Sequence, residues 1–368
     1  MIIGFDAKRA FKNNTGLGNY SRMVVSGIAR LHPETRLLLF TPSRKGNYSS
    51  FFEEFDNVVI VEPTGLWRLF PSLWRTFGVG FAVRRHKVDL FHGLSHELPL
   101  ALPKGVKKVV TMHDLISWRF PGQFHFFDRL IYRVKFSHAC RVADNVVAVS
   151  RQTAADLTSF LHVPQEKIKV VYQSCDNIFF TPVTDEKRAD VRRRYALPSR
   201  YLLCVGTIEE RKNQAAAVRA MALLPDDLHL VVVGRPTAYF EKVQAAVRES
   251  HVEERVHFLH NALFSDFPAL YSEAQASVYV SRFEGFGIPV LESMRCGTPV
   301  VAANCSSLPE VGGDAALYAD PDIPDDIAKC VGSVLGQREH YSTLCFSQSE
   351  KFSPDKISEE IYGVYCVE

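Results

Sequence analysis

"ASVYVSRFEGFGIPVLESMRCGTPVVAAN", residues 276–304, reads as a strand, a glycine bend, a helix and a second strand. The two outer runs are short, apolar and nearly uninterrupted, as strands are when a parallel sheet is covered on both faces. The stretch between them holds Glu284 and Glu292, eight positions apart, around Gly285 and Gly287. Pro289 suits the first turn of the helix that follows.

Outward from this stretch the same alternation fills the chain. "MIIGFDA", "TRLLLFT", "NVVIVEP", "VDLFHG", "KKVVTMHD", "NVVAVS" and "IKVVYQS" supply strands in the first half, and "YLLCVGT", "LHLVVVG" and "RVHFLH" precede the two already quoted. The series restarts after residue 180, where "NIFFTPVTDEKRADVRRRYALPS" interrupts it with prolines and charge. The pattern predicts an α/β protein of two doubly wound, Rossmann-like domains, 1–180 and 181–353.

The 368 residues are enough for each domain to bury its own core. A content of 46% hydrophobic and 23% charged residues describes a globular protein. No apolar run approaches the roughly 18 residues that cross a bilayer. "MIIGFDAKRAF" lacks the basic start and apolar stretch of a signal peptide, so a cytoplasmic location is expected. Eight scattered cysteines without a C-x-x-C pair suggest neither a zinc ribbon nor a disulfide framework. Residues 1–180 carry 24 Lys+Arg against 14 Asp+Glu, and the remainder 19 against 27. The basic half is expected to attract an anionic partner: a membrane surface, a phosphorylated lipid or nucleic acid.

Ligands of doubly wound sheets bind outside the carboxyl ends of strands, so the loops there hold the candidates. Gly16 and Gly18 precede a helix after the first strand; His113 and Asp114 follow "VVTM"; Thr207, Arg211 and Lys212 follow "LLCV"; Gly234 and Arg235 end "LHLVVVG". In the opening stretch, Gly285 and Gly287 let the backbone approach a ligand, and the helix start is an anion site. The backbone N–H groups of Phe286, Gly287 and Ile288 are expected to contact a ligand in the bend, and those of Val290 and Leu291 an anionic group such as phosphate. Ser150 and Arg151 are expected in the cleft between the domains, on the side of the first domain with Asp114. Each also has a plainer reading: a solvated loop charge, a capping acid, a tight turn.

Four motifs in order resemble one family: "HDL" at 113–115, "VSRQTAADL" at 149–157, "VGTIEERKN" at 205–213, and Glu284 with Glu292 as an E-x7-E signature followed by "CGTPVVAANCSSLPEVGGDAALYADP". The family is the retaining nucleotide-sugar glycosyltransferases of family 4, and the likeness runs from the Gly16 loop to the C-terminus. It implies the GT-B fold, two such domains facing each other across a cleft, with a C-terminal helix, 354–368, returning to the first. It implies an acceptor-binding first domain and a nucleotide-sugar-binding second. Glu284 then takes the donor sugar's hydroxyls, Glu292 the ribose, Lys212 with Arg211 the diphosphate, His113 the sugar's C6 hydroxyl, and Leu263 the base through its main chain. The catalytic set is His113, Glu284, Lys212 and Arg211, with no metal or cofactor. Relatives place an arginine where this chain has Thr207. The variants look most like mannosyltransferases using GDP-mannose in surface polysaccharide synthesis, with a UDP-sugar donor as the alternative.

Residues 66–87 and 119–136 interleave arginines with aromatics. They suit either a face resting among anionic headgroups or an amphipathic helix turned to the core. On the first reading the acceptor is a polyprenyl-diphosphate-linked saccharide. "TGLGNYS" lacks the third glycine of a dinucleotide fingerprint, and no G-x-x-x-x-G-K-[ST] occurs, which disfavours a dehydrogenase and a P-loop hydrolase. A nucleotide-sugar epimerase, an inactive sugar-binding scaffold and a nucleic-acid-binding protein using the basic half are the competing readings.

Overall fold

The computed structural model describes residues 1–367, so the last residue of the expected helix 354–368 lies outside the described residues. The chain divides into two compact units, Met1–Ser174 with the stretch from Phe352 onward, and Cys175–Lys351.

The first unit holds seven parallel strands: β1 (Ile2–Asp6), β2 (Arg36–Phe40), β3 (Val58–Val61), β4 (Leu90–Gly93), β5 (Lys107–Met112), β6 (Asn145–Ala148) and β7 (Ile168–Val170). Their order is β3-β2-β1-β4-β5-β6-β7, so the winding reverses between β1 and β4. Alternate residues serve opposite faces. Leu37 and Leu39 join one core with Ile3, Phe5 and Ile28, while Leu38 and Phe40 join another with Phe91, Val110 and Met112. Each such fully buried side chain contributes about 1.5–3 kcal/mol.

The C-terminal helix Pro354–Cys366 packs in this unit against the helix Gly16–Leu31. Ile357, Ile361, Val364 and Tyr365 enter the same core as Val24, Val25 and Ile28. A Cβ on Gly27 would lie 2.0 Å from the Ser358 hydroxyl, so the close approach requires glycine there.

The second unit holds six parallel strands: β8 (Tyr201–Val205), β9 (His229–Val233), β10 (Val256–Leu259), β11 (Ala276–Tyr279), β12 (Val300–Ala303) and β13 (Ala316–Ala319). The order is β10-β9-β8-β11-β12-β13, reversing between β8 and β11. Neighbouring strands leave the sheet in opposite directions at such a reversal, which opens a crevice at their carboxyl ends. The loops after β8 and β11 carry "VGTIEERKN" and "SRFEGFG".

Candidate functional site

After β11, residues Val280–Gly287 form the bend and Ile288–Arg295 the helix. Gly287 sits at φ +119 at the helix start, and a Cβ there would meet Leu308 at 2.8 Å, so only glycine fits. The serines of "NCSSLPE" hold the bend from below. Glu284 N–H donates to Ser306 Oγ at 3.0 Å, and Ser307 Oγ lies 2.9 and 2.6 Å from the carbonyls of Glu284 and Phe286. The loop after β8 is stitched to the bend where Arg282 N–H donates to the Arg211 carbonyl at 2.8 Å.

Four donors converge on one oxygen, Glu284 Oε1. Lys212 Nζ is 2.6 Å away, Arg211 Nη1 2.8 Å, Ser281 Oγ 2.6 Å and Tyr279 OH 3.0 Å. Lys212 Nζ also donates to Tyr279 OH. Arg211 donates further to the Phe283 carbonyl at 2.6 Å and to Glu209 at 2.5 Å. Burial works to raise the Glu284 pKa, but the Lys212 and Arg211 charges outweigh it and hold the carboxyl down at about 2. Burial likewise opposes the charge on Arg211, and the Glu284 and Glu209 carboxylates reverse that and hold its pKa above the usual value.

Glu292 is treated in the opposite way. It lies 6% exposed within the helix, and Tyr271 OH donates to its Oε2 at 3.0 Å. Burial raises its pKa to about 7, against the weaker pull of that hydrogen bond. Cys175 and Cys296 lie close enough that burial, then the Glu292 charge, pushes both thiols up.

The other expected residues of this unit are scattered over its strand ends. The Thr207 carbonyl accepts from Gln214 Nε2 at 2.9 Å. A Cβ on Gly234 would lie 1.9 Å from the Gly206 carbonyl oxygen, so this glycine serves the packing of the β8 and β9 ends. Arg235 is exposed, and its carbonyl accepts from Ile208 N–H at 2.9 Å. Leu263 is 56% exposed, and its N–H donates to Tyr195 OH at 3.1 Å. Gly285, Phe286 and Gly287 are buried in the bend and Ile288 is half-buried. The N–H groups of Val290 and Leu291, expected to face a phosphate, donate to the Gly287 carbonyl at 3.0 and 3.3 Å, and both side chains are core.

In the first unit, His113 follows β5 and is 5% exposed. Its Nε2 lies 3.0 Å from the Leu94 carbonyl, which can only accept, so Nε2 carries the hydrogen and Nδ1 is left as an acceptor. The Tyr20 ring meets it edge-on at 4.7 Å and the His96 ring lies at 5.2 Å. Burial, then His96, lowers the His113 pKa to about 3, so the imidazole is neutral at physiological pH. A buried polar chain supports Tyr20. Its OH lies 3.0 Å from Thr111 Oγ1, Thr111 lies 2.8 Å from His92 Nε2, and His92 Nδ1 lies 2.6 Å from Tyr365 OH on the C-terminal helix.

Gly18 is fixed by packing, since a Cβ there would lie 2.0 Å from the Asn13 carbonyl oxygen, whereas Gly16 has nothing within 4 Å. The Asp114 carboxylate accepts from Ile116 N–H at 3.2 Å. Ser150 is wholly buried and caps the helix Arg151–Leu161, accepting from Thr153 N–H at 3.0 Å. Arg151 opens that helix on its exposed side.

Sequence reasoning passed over Tyr279, Ser281 and Tyr271, which read as strand and helix core, and a charge ladder in the first unit. There Arg75 holds Asp6 at 2.6 Å and Glu97 at 2.7 Å, and Lys135 reaches Glu97 at 3.2 Å. The interleaved segments divide: Trp74, Val79, Val83 and Phe136 are core and Arg75 and Arg119 are ion-paired, while other apolar side chains are exposed. Leu66, Phe81, Phe126 and Phe127 are 81, 71, 67 and 74% exposed, and the helix Phe126–Val142 buries only Phe136, Ala139 and Cys140. Among the described residues no helix is long and apolar enough to cross a membrane, and no group of three or more His, Cys, Asp or Glu is arranged to hold a metal ion.

Two doubly wound parallel sheets, with charged loops at the reversal of the second, define the GT-B α/β class. Residues 15–177 match the family model described as Glycosyltransferase Family 4, and residues 185–344 that described as Glycosyl transferases group 1. The chain is 30% identical over 298 residues to O-antigen chain mannosyltransferase B of Escherichia coli, covering 77% of this chain and 76% of that protein. It is 25% identical over 335 residues to O-antigen chain mannosyltransferase RfbU of Salmonella typhimurium, covering 88% and 87%. The structure of Anabaena HepE in complex with UDP-glucose superposes with a TM-score of 0.74 at 20% identity, covering 99% of this chain and 98% of that one. The chain belongs to the glycosyltransferases of the GT-B fold.

Proposed function

We propose that this glycosyltransferase is a retaining, metal-independent family 4 enzyme that moves mannose from GDP-mannose onto a lipid-linked saccharide in surface polysaccharide assembly. The observation that carries the reading is the convergence of Lys212 and Arg211 on Glu284 at the β8/β11 reversal. Departure of a nucleoside diphosphate builds negative charge, and fixed cations in a water-poor site stabilise it. Lys212 and Arg211 are the cations at hand. With Oε1 occupied by four donors, Oε2 of Glu284 is the acceptor offered to sugar hydroxyls.

Glu292 accepts the ribose hydroxyls, and His113 accepts from the C6 hydroxyl through Nδ1. A carboxylate held at about pKa 2 by two cations and two hydroxyls is a weak nucleophile. Same-face substitution through an oxocarbenium-like state therefore fits better than a covalent sugar on Glu284, with the leaving phosphate taking the acceptor's proton. The named mannosyltransferase relatives support the sugar. The likeness to HepE with UDP-glucose supports a UDP-sugar as the second reading.

The exposed aromatics of 66–81 and 126–134 stand among exposed Arg68, Arg84, Arg85, Lys87 and Arg133, and Asp128 is the one acid between residues 115 and 143. This surface docks on an anionic membrane. Melting temperatures measured with GDP-mannose, UDP-glucose, UDP-galactose and UDP-N-acetylglucosamine test the donor, because a ligand of the folded form stabilises it. GDP-mannose is expected to give the largest rise, and a larger rise with a UDP-sugar would replace the donor.

A further inference from the structure

The turn after β4, residues 94–97, is held at each position. The Leu94 carbonyl accepts from His113 Nε2 at 3.0 Å, Ser95 Oγ lies 3.1 Å from Arg9 Nε, His96 N–H donates to the Thr111 carbonyl at 2.9 Å, and Glu97 pairs with Arg75 and Lys135. Gly93 lets the chain fold back this closely, since a Cβ there would lie 2.0 Å from the Glu97 carbonyl oxygen. Within the turn His96 adopts φ +64. A left-handed backbone is unfavourable for a residue with a side chain and persists where its surroundings over-determine it, as they do here.

What the turn holds in place is a second imidazole. The His96 ring is 7% exposed, stacks on Phe136 with centroids 4.5 Å apart, and stands 5.2 Å from the His113 ring. Its Nδ1 is sealed in without a partner. Orphaned buried N–H groups are rarer than unmet acceptors, so Nδ1 is the bare nitrogen and Nε2 carries the hydrogen. Burial, then the Arg9 charge, lowers the His96 pKa to about 3, so this ring is neutral as His113 is. Among the described residues neither His96 Nε2 nor His113 Nδ1 has a hydrogen-bond partner, and neither is sealed in. Two rings 5.2 Å apart therefore present one free donor and one free acceptor. A hydroxyl meets both through one oxygen, whereas a carboxylate only accepts and an ammonium only donates.

We propose that His96 donates through Nε2 to the sugar hydroxyl that His113 accepts from, so that the two rings select a donor hexose with a free C6 hydroxyl over its 6-deoxy counterpart. The inference rests on the proposed reading of His113 and makes His96 a specificity residue of the same site. A sugar without that hydroxyl leaves both nitrogens unpaired in a buried place, which is how a site rejects an analogue strongly. A ring that merely filled space between Phe136 and His113 would give no such preference.

The test is calorimetry on the full chain with GDP, GDP-mannose and GDP-6-deoxymannose, using the wild type, His96→Phe and His96→Gln. Phenylalanine keeps a ring to stack on Phe136 and has no nitrogen, while the glutamine amide nitrogen reaches the place of Nε2. The wild type is expected to prefer GDP-mannose over GDP-6-deoxymannose about tenfold or more. In His96→Phe that preference should shrink about threefold or more through GDP-mannose alone, with GDP and GDP-6-deoxymannose bound as before, and His96→Gln should recover part of it. Absence of a preference in the wild type overturns the inference without any variant and leaves the donor reading intact. So does a preference unchanged in His96→Phe, or an equal weakening of all three ligands, which would leave His96 a packing residue. Where UDP-glucose binds and GDP-mannose does not, UDP-glucose against UDP-6-deoxyglucose decides in the same way. Binding of no nucleotide sugar by the wild type would refute the donor reading, and this inference with it.

Discussion

The two candidate centres handle charge in opposite ways. The second unit gathers two cations around Glu284 and holds it ionised with a pKa of about 2, while the first buries His113 against the Tyr20 and His96 rings and holds it neutral with a pKa of about 3. Both sit in loops at the carboxyl ends of parallel strands, so the scaffold is the same and the neighbours differ. On the proposed reading, charge serves the departure of a diphosphate and a neutral hydrogen-bond acceptor serves the orientation of a hydroxyl. Within the second unit the contrast recurs between Glu284, with cations at hand, and Glu292, whose burial is relieved by one tyrosine.

The largest way to break this contrast is to remove a cation. Lys212→Ala is expected to lower kcat by about 10²–10³, the cost of losing one fixed donor to a developing charge. Glu284→Gln should abolish most transfer and also destabilise the fold by about 3 kcal/mol, because Lys212 loses its counter-ion and Arg211 keeps only Glu209. An unchanged rate in steady-state assays of Lys212→Ala would remove the charged centre from the account.

Next is the neutral centre. His113→Asn keeps a polar side chain of similar reach and is expected to cost about tenfold to a hundredfold in kcat. Because His113 is neutral above about pH 3, the pH–rate profile of the wild type should show no step from it between pH 5 and 8. A histidine-like step that vanishes in His113→Asn would show the site to be charged.

Glu292 sharpens the comparison. Its folded pKa of about 7 exceeds the ordinary 4.5, so the fold loses stability as pH rises from about 4.5 to 7 and no more beyond. Glu284, depressed to about 2, contributes stability that is present above 4.5 and lost as pH falls towards 2. Glu292→Gln is therefore expected to raise the melting temperature at pH 8 and leave it unchanged at pH 4, on the order of 3 kcal/mol at the upper bound. If, as proposed, Glu292 takes the ribose hydroxyls in its carboxylate form, donor affinity in the wild type should weaken from pH 8 to pH 6, and in Glu292→Gln it should be weaker and flat.

The smallest effect concerns the C-terminal helix. Tyr365→Phe removes one hydroxyl from the chain through His92, Thr111 and Tyr20. A loss of about 1 kcal/mol in stability and a few-fold fall in kcat at unchanged KM is expected. A loss of stability alone, in paired unfolding and rate measurements, would make the chain purely structural.

Much of the fold was legible because parallel strands buried on both faces leave uninterrupted Val and Leu runs, and the restart after residue 180 separated two series. Glu284, Arg211 and Lys212 were legible because strand-end position singles out residues that are otherwise ordinary loop charges. Ser150 and Gly18 show the limit. One caps a helix and the other makes room for Asn13, and both jobs leave the same letters in the sequence as ligand binding would. Asp6, Arg75 and Glu97 meet across 69 and 22 positions, and Tyr365 meets His92 across 273, distances at which no local spacing carries a signal. Tyr279 and Tyr271 were hidden because an aromatic in an apolar run reads as core.

The most direct measurement is calorimetric titration of GDP-mannose at pH 8 into wild-type protein and into Lys212→Ala and Arg211→Ala. Donor binding by the wild type that weakens about tenfold or more in each variant is predicted, in keeping with charge-assisted contacts to a diphosphate. Equal affinity in all three proteins would contradict the assignment of these cations to the donor.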